Sequence, residues 1–282
     1  MTKKRYIDDG GGLGRLEALF ARTTSTDRVE GALAYGRYHR VLKAFAGYYG
    51  FGIVPTVEAF AATSPNNDYH GNLRSMASVL HAVNQGLGPR DFTVSCYKAC
   101  AERAYGYATG ETSFLDTVKG EKITVFRHNL LYPETSKRAT VDGHMFAAWA
   151  GDYTMTMKQA ALTFSGSKKW YIAVERDIVR LAKKHGLLPH QMQAILWIAR
   201  KRIQDNKYST QMHMDHGKQD LSRILCRPED YLPYPTRQAP PTVLGKDTAR
   251  HSSQCGTARG DAGPLNPPSL WGPARYHNEE PL

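Results

Sequence analysis

The stretch YIAVERDIVRLAKKHGLLPHQMQAILWIARKRI, residues 171–203, decides the fold class. Tyr171, Val174, Ile178, Leu181 and Ala182 recur at helical spacing, and so do Met192, Ile195, Leu196, Ala199 and Ile203. Between them, Gly186-Leu187-Leu188-Pro189 places a glycine just past one helix end and a proline in the first turn of the next. Each run is amphipathic, so each helix needs a partner face, and the short connection makes the two neighbours.

The same period extends upstream. Leu73, Met76, Ala77, Leu80 and Val83 share one face, and helical patterns cover Val29 to Tyr49, Thr56 to Ala62 and Asp91 to Tyr107. Strand-like alternation is scarce, so the expectation is an all-α protein of eight to ten helices without a sheet. With 282 residues, 41% of them hydrophobic, the chain has enough apolar material for one large domain or two small ones.

Composition divides it further. Residues 235–282 hold eight of the fifteen prolines and five glycines, with few large apolar side chains. Such a segment cannot bury enough surface to offset its ordering entropy, and the expectation is a disordered tail. Residues 1–14, containing Gly10-Gly11-Gly12, read as a flexible arm, which leaves 15–234 as the helical domain. Tyr208 to Tyr234 reads as a last helix with a loop packed on that domain.

The net charge is +11, from 37 Lys plus Arg against 26 Asp plus Glu. The tail from Pro235 onward carries five basic and four acidic residues, so nearly all of the excess lies in the helical part. A polyanion, nucleic acid above all, is the partner such a balance suggests. No apolar run is long enough to span a membrane, and no apolar stretch follows the basic start Met1-Thr2-Lys3-Lys4-Arg5, so a cytoplasmic protein is expected. Cys96, Cys100, Cys226 and Cys255 form no Cys-x-x-Cys pair, and they read as reduced structural thiols.

Three segments carry candidate chemistry. In AATSPNNDYHGN, residues 61–72, a helix gives way to a polar turn and a second helix starts near Asn72. In LDTVKGEKITVF, residues 115–126 and continuing to Asn129, Gly120 permits a tight hairpin and Lys122 falls in the first turn of the next helix, where exposed N–H groups favour phosphate. In ATVDGHMFAAW, residues 139–149, Asp142 precedes an apolar helix as its N-cap. Each also has a plain structural explanation: a well-capped helix–loop–helix, a solvated lysine and a helix cap.

In their order and spacing these segments resemble the helix-hairpin-helix DNA glycosylase superfamily, the group of endonuclease III. Thr63-Ser64-Pro65-Asn66 looks like the family's first turn, with Asn72 on the following helix; Thr117 to Lys122 looks like its hairpin; and Val141-Asp142-Gly143-His144 looks like its aspartate motif. Lys122 and Asp142 are twenty positions apart, close to the family spacing. Phage-borne relatives look closer still, combining an Ala-x-Ser-Pro turn, a Gly-x-Lys…Phe-x-x-Asn helix and a late helix like Gly186 to Trp197. The resemblance runs from about Gly31 to Ile203. The sequence departs from the family at Val118, where the hairpin's first glycine stands, at Asn66 in place of glutamine, and at Gly143 in place of threonine.

The resemblance implies a helical glycosylase-like domain that binds double-stranded DNA, extrudes a damaged or modified base and breaks its bond to the sugar, without a cofactor or metal. It implies that Asp142 stabilises the cationic sugar and that Lys122 is the nucleophile if the protein also cleaves abasic sites. Asn66, Asn72, Lys119, Gly120, Arg127 and His128 then face DNA, and Tyr69, Trp149 or Phe146 stack on a base or simply belong to the core. Two other readings stand beside it: a catalytically inactive relative that only grips DNA, and a metal enzyme built on His213, Asp215, His216 and His144.

Overall fold

Helix boundaries in this chain are written locally, and the longest of the described helices shows how. Thr24 Oγ1 accepts the Asp27 amide at 3.0 Å while the Asp27 carboxylate accepts the Thr24 amide at 2.9 Å, a reciprocal capping box. The helix then runs from Ser25 to Tyr49 and stops at Gly50, whose φ of 74° is a left-handed cap. The buried Asp27 carboxylate is also clamped by Arg202, so this start is tied to the second half of the helix Pro189–Tyr208.

The computed structural model describes residues 12–65, 67–164, 168–208 and 228–231. They are helical, with no strand among the described residues. In order, the helices are α1 (Gly12–Ala21), α2 (Ser25–Tyr49), α3 (Ile53–Thr63), α4 (Tyr69–Asn84), α5 (Lys98–Thr109), α6 (Phe114–Thr117), α7 (Glu121–Leu131), α8 (Gly143–Ala150), α9 (Met157–Phe164), α10 (Lys168–Lys184) and α11 (Pro189–Tyr208), followed by a 3-10 turn at Pro228–Asp230. That is one more than the upper bound expected, the single-turn α6 being too short to show a period. The described residues belong to the unit 1–240. The tail 235–282, residues 1–11 of the arm and most of Tyr208 to Tyr234 lie outside them.

Two boundaries differ from expectation. Helix α1 begins at Gly12, inside the predicted arm, because Leu13 and the buried Leu16 have a core to enter. The predicted helix from Asp91 starts only at Lys98: Asp91 instead closes a turn on Gly88, and Ser95 spends its amide and hydroxyl on Ser75 and Asn67.

The apolar faces collect into two clusters. The first joins the C-terminal half of α2 with α3, α4, α5 and the end of α7, around Phe45, Phe60, Met76 and Leu80. Tyr231 returns to this cluster and packs its ring against Phe45 and His70. The second joins α1, α8, α9, α10 and α11, around Leu19, Met145, Trp149, Ile178 and Leu196. Helix α2 runs through both, because α11 lies along its first turns. At that crossing Gly31 is required: a Cβ there would stand 2.4 Å from the backbone nitrogen of Ile195.

A buried polar chain stitches the two clusters. The Tyr35 hydroxyl, from α2, lies 3.0 Å from both Thr140 Oγ1 and Gln193 Oε1; Asn129 Nδ2 donates to the same Thr140 oxygen; and Ser136 donates to Asn129 Oδ1. Three segments distant in sequence therefore share one network with its members satisfied by one another. Burial pushes the Tyr35 phenol far up, so it stays a neutral donor.

Candidate functional site

The loop that delivers Asp142 has no helix of its own. Residues 136–142 are held from below by α10: Glu175 accepts from Arg138 Nε at 2.7 Å and from the Ala139 amide at 3.0 Å, and Tyr171 accepts the Val141 amide while donating to the Ala139 carbonyl. Two side chains thus do for this segment what a neighbouring strand would do. Asp142 emerges from it as the N-cap of α8, Oδ1 taking the Met145 amide at 2.9 Å. Its other oxygen, Oδ2, takes the indole N–H of Trp197 from α11 at 3.1 Å.

His144 follows on the first turn of α8, with its Nδ1 against Arg200 Nη1 and its ring edge-on to Trp197 at 5.4 Å. Arg200 is fully buried and also holds Gln204 Oε1 and the Met155 carbonyl. Burial is the main reason the His144 imidazole is pushed down to about 4; Asp142 opposes this, while Arg200, Lys201 and Lys122 reinforce it. Lys122 is therefore near enough for its charge to be felt at the Asp142–His144 corner, although its side chain is exposed.

The hairpin is α6, the linker Val118-Lys119-Gly120, and α7. Gly120 caps α7 with a φ of −93°, available to any residue, and a Cβ there would meet nothing within 4 Å. Val118 is extended as well, so the turn needs no glycine at either place. The amides of Glu121, Lys122 and Ile123 begin α7 without a side-chain cap from Gly120. Lys119 and Lys122 are exposed beside them, and Glu121 is engaged by Lys168 at 3.2 Å and Arg138 at 3.4 Å.

Other predicted residues have structural partners. Asn72 is buried, taking the Thr63 hydroxyl at 2.7 Å and donating to the Phe60 carbonyl, which locks α3 to α4. Asn66 lies outside the described residues; its neighbour Asn67 donates to the Thr63 carbonyl and accepts from Ser95. Arg127 is half-buried in an ion pair with Glu58 and lies over the Phe114 ring. Burial, then Arg138 and Arg127, push the half-buried His128 imidazole down. Tyr69 is stacked on Tyr38 at 4.7 Å. Trp149 is a core residue, 4% exposed, its indole donating to Asp177 at 2.8 Å, and Phe146 stacks on Phe164. These two rings therefore pack within the second cluster, and neither faces the Asp142 corner as a free stacking surface.

The sequence offered no role for Arg200, Gln193 and Tyr35, and it placed His144 only at the end of the aspartate motif or among metal ligands. A charged residue one position from the apolar stripe Ile195-Leu196-Ala199 was the available signal for Arg200. His213, Asp215 and His216 lie outside the described residues, and among the described residues no three His, Cys, Asp or Glu side chains gather as a metal site. No helix among them is long and apolar enough to cross a membrane. A cavity of about 400 Å³ lies elsewhere, between α2 and the turn after α7, and is lined by His39, Arg40, Tyr132 and Glu134.

The described residues form an all-helical protein with two packed clusters and a carboxylate–imidazole corner at the start of α8. The chain belongs to the family of unknown function DUF7178, which it matches over residues 13–207. Neither a curated protein nor a solved structure matches it.

Proposed function

We propose that the protein is a DNA-binding N-glycosylase of the helix-hairpin-helix kind, acting on a base extruded from duplex DNA. The observation supporting this is the position of Asp142: a carboxylate oriented by two N–H donors, beside His144, at the start of a helix. In the reaction the bond from the sugar C1′ to the base nitrogen breaks, the base leaves with the electron pair and takes a proton, and water adds to C1′ with loss of its own proton. Asp142 stabilises the cationic sugar and orients the water. The uncapped start of α7, with Lys119 and Lys122, suits a phosphate of the DNA backbone.

Exposure of Lys122 favours a phosphate-facing role over that of a nucleophile, and hence a hydrolytic glycosylase over a lyase. The second reading is a DNA-binding protein without activity. It is favoured by the same fact that orients Asp142, since both carboxylate oxygens already have protein donors.

The test is incubation with end-labelled duplexes carrying uracil, oxidised, alkylated or modified bases, or an abasic site, with borohydride present and with Lys122→Ala and Asp142→Asn alongside. The expected result is alkali-labile sites without a trapped adduct, lost in Asp142→Asn. A borohydride adduct that vanishes with Lys122→Ala makes the protein a lyase. Duplexes that are bound but never cut establish the binding protein, and duplexes neither bound nor cut overturn both readings.

A further inference from the structure

Behind Asp142, the hydrogen-bonding state of one imidazole is dictated by a buried guanidinium. Arg200, 0% exposed, sets Nη1 against His144 Nδ1 and uses the same nitrogen on Gln204 Oε1 at 2.8 Å, while Nη2 meets the Met155 carbonyl. A guanidinium has only donors and keeps its charge throughout the range in which proteins work. His144 Nδ1 must therefore accept, and a neutral imidazole whose Nδ1 accepts carries its proton on Nε2. Protonating Nδ1 would set N–H against N–H and place a second cation beside a buried one.

The other charged groups facing this ring divide unequally. Asp142, at the same helix end, favours the charged imidazole; Lys201 of α11 and Lys122 of α7 disfavour it together with Arg200, and burial outweighs each of them. Trp197 covers the ring edge-on. Among the described residues no hydrogen-bond partner is recorded for Nε2, although the ring belongs to the corner that contains Asp142.

We propose that His144 is a ligand-contacting donor of this site: Arg200 locks it as the neutral Nε2–H tautomer, and that N–H is offered to an acceptor atom of the nucleotide seated against Asp142. The assignment of a nucleotide rests on the DNA reading above; the locked tautomer does not. His144 then neither gives nor takes a proton during turnover. It supplies a fixed, uncharged donor that selects an acceptor at its position and rejects another donor.

The experiment is nitrogen-15 spectroscopy of the full chain labelled at histidine, with His144→Gln to assign the resonance. The expected spectrum has an unprotonated Nδ1 and a protonated Nε2 that persist unchanged from pH 8 to pH 5.5. An Nδ1–H tautomer, or titration with an ordinary histidine midpoint, overturns the lock. Duplexes with an extrudable modified base and with a stable abasic analogue are then added. Movement of the Nε2 signal with both assigns the acceptor to the sugar–phosphate backbone, and movement with the first alone assigns it to the base.

His144→Phe is expected to weaken duplex binding about three- to tenfold, the range of one hydrogen bond, and His144→Gln to retain most of it. Duplex binding by the wild type that leaves the Nε2 signal unmoved overturns the His144 contact alone. No binding by the wild type overturns the DNA reading, and the contact with it, while the tautomer stands or falls on its own spectrum.

Discussion

The indole N–H of Trp197 meets Oδ2 of Asp142 at 3.1 Å across fifty-five positions of sequence. Through this bond α11 reads the orientation of the cap that starts α8, and a carboxylate that would otherwise rotate is held on two donors. Trp197→Phe removes the donor while keeping most of the packing. The expected loss of stability is about 1 kcal/mol, the usual net worth of one such bond. Base excision should fall more steeply than duplex binding. Thermal unfolding and single-turnover excision on the same preparation check this, and equal losses in binding and excision would contradict a role in orienting Asp142.

Tyr35 joins the two apolar clusters through Thr140 and Gln193. Tyr35→Phe leaves these buried partners short of a hydrogen bond, with an expected cost of about 1–3 kcal/mol. Gly31→Ala acts at the same junction by steric overlap with the Ile195 backbone, and overpacking of this kind costs about 1–3 kcal/mol. Denaturant titration should show both midpoints lowered, with the helical signal of the folded state unchanged.

Acid should destabilise the fold earlier than carboxylates alone would. His144, His128 and His190 are all pushed down, chiefly by burial, from an ordinary value of 6.5. In the unfolded chain these rings take up protons as pH falls through 6.5, whereas the folded chain refuses them, so stability is present above that pH and is lost progressively below it. For His144 the loss has a limiting slope of about 1.4 kcal/mol per pH unit until its folded value of about 4. Glu58, pushed up by burial more than Arg127 draws it down, works in the opposite direction at lower pH. Melting temperature against pH checks the sign, and His144→Gln should flatten part of the fall.

Gly120 has no local need to be glycine. Gly120→Ala fits its backbone angles and open surroundings, so the chain should still fold, with a melting temperature lowered by a few degrees because alanine is a poorer N-cap than glycine by about 1 kcal/mol. If the head of α7 grips a phosphate, the added methyl group blocks the close approach and duplex affinity should fall several-fold. Binding measured by fluorescence anisotropy decides, and an unchanged affinity removes the hairpin from the interface.

On the proposed DNA reading, duplex binding weakens steeply with salt, because a phosphate contact made by a lysine releases a condensed counterion. Lys119→Ala and Lys122→Ala should each lower the slope of log affinity against log salt by about one. Equal slopes for wild type and variants would remove these two lysines from the proposed interface.

The features legible along the chain are those that depend on near neighbours in sequence. Apolar residues three and four apart placed α2, α4, α10 and α11, and Gly186 with Pro189 marked the break between the last two. Asp142 was legible as a cap because capping is a contact over three residues. Where a local pattern competed with a distant partner, the partner prevailed: residues 91–97 have helical spacing, yet Ser95 folds onto Ser75 and Asn67. That Asn72 clamps two helices, that Trp149 belongs to the core and that Arg200 stands behind His144 follows from long-range packing alone. These facts depend on which apolar faces pair, and periodicity names a face without naming its partner. A buried polar group is satisfied by whatever the pairing brings within about 3 Å, so its role exists only once the clusters have closed.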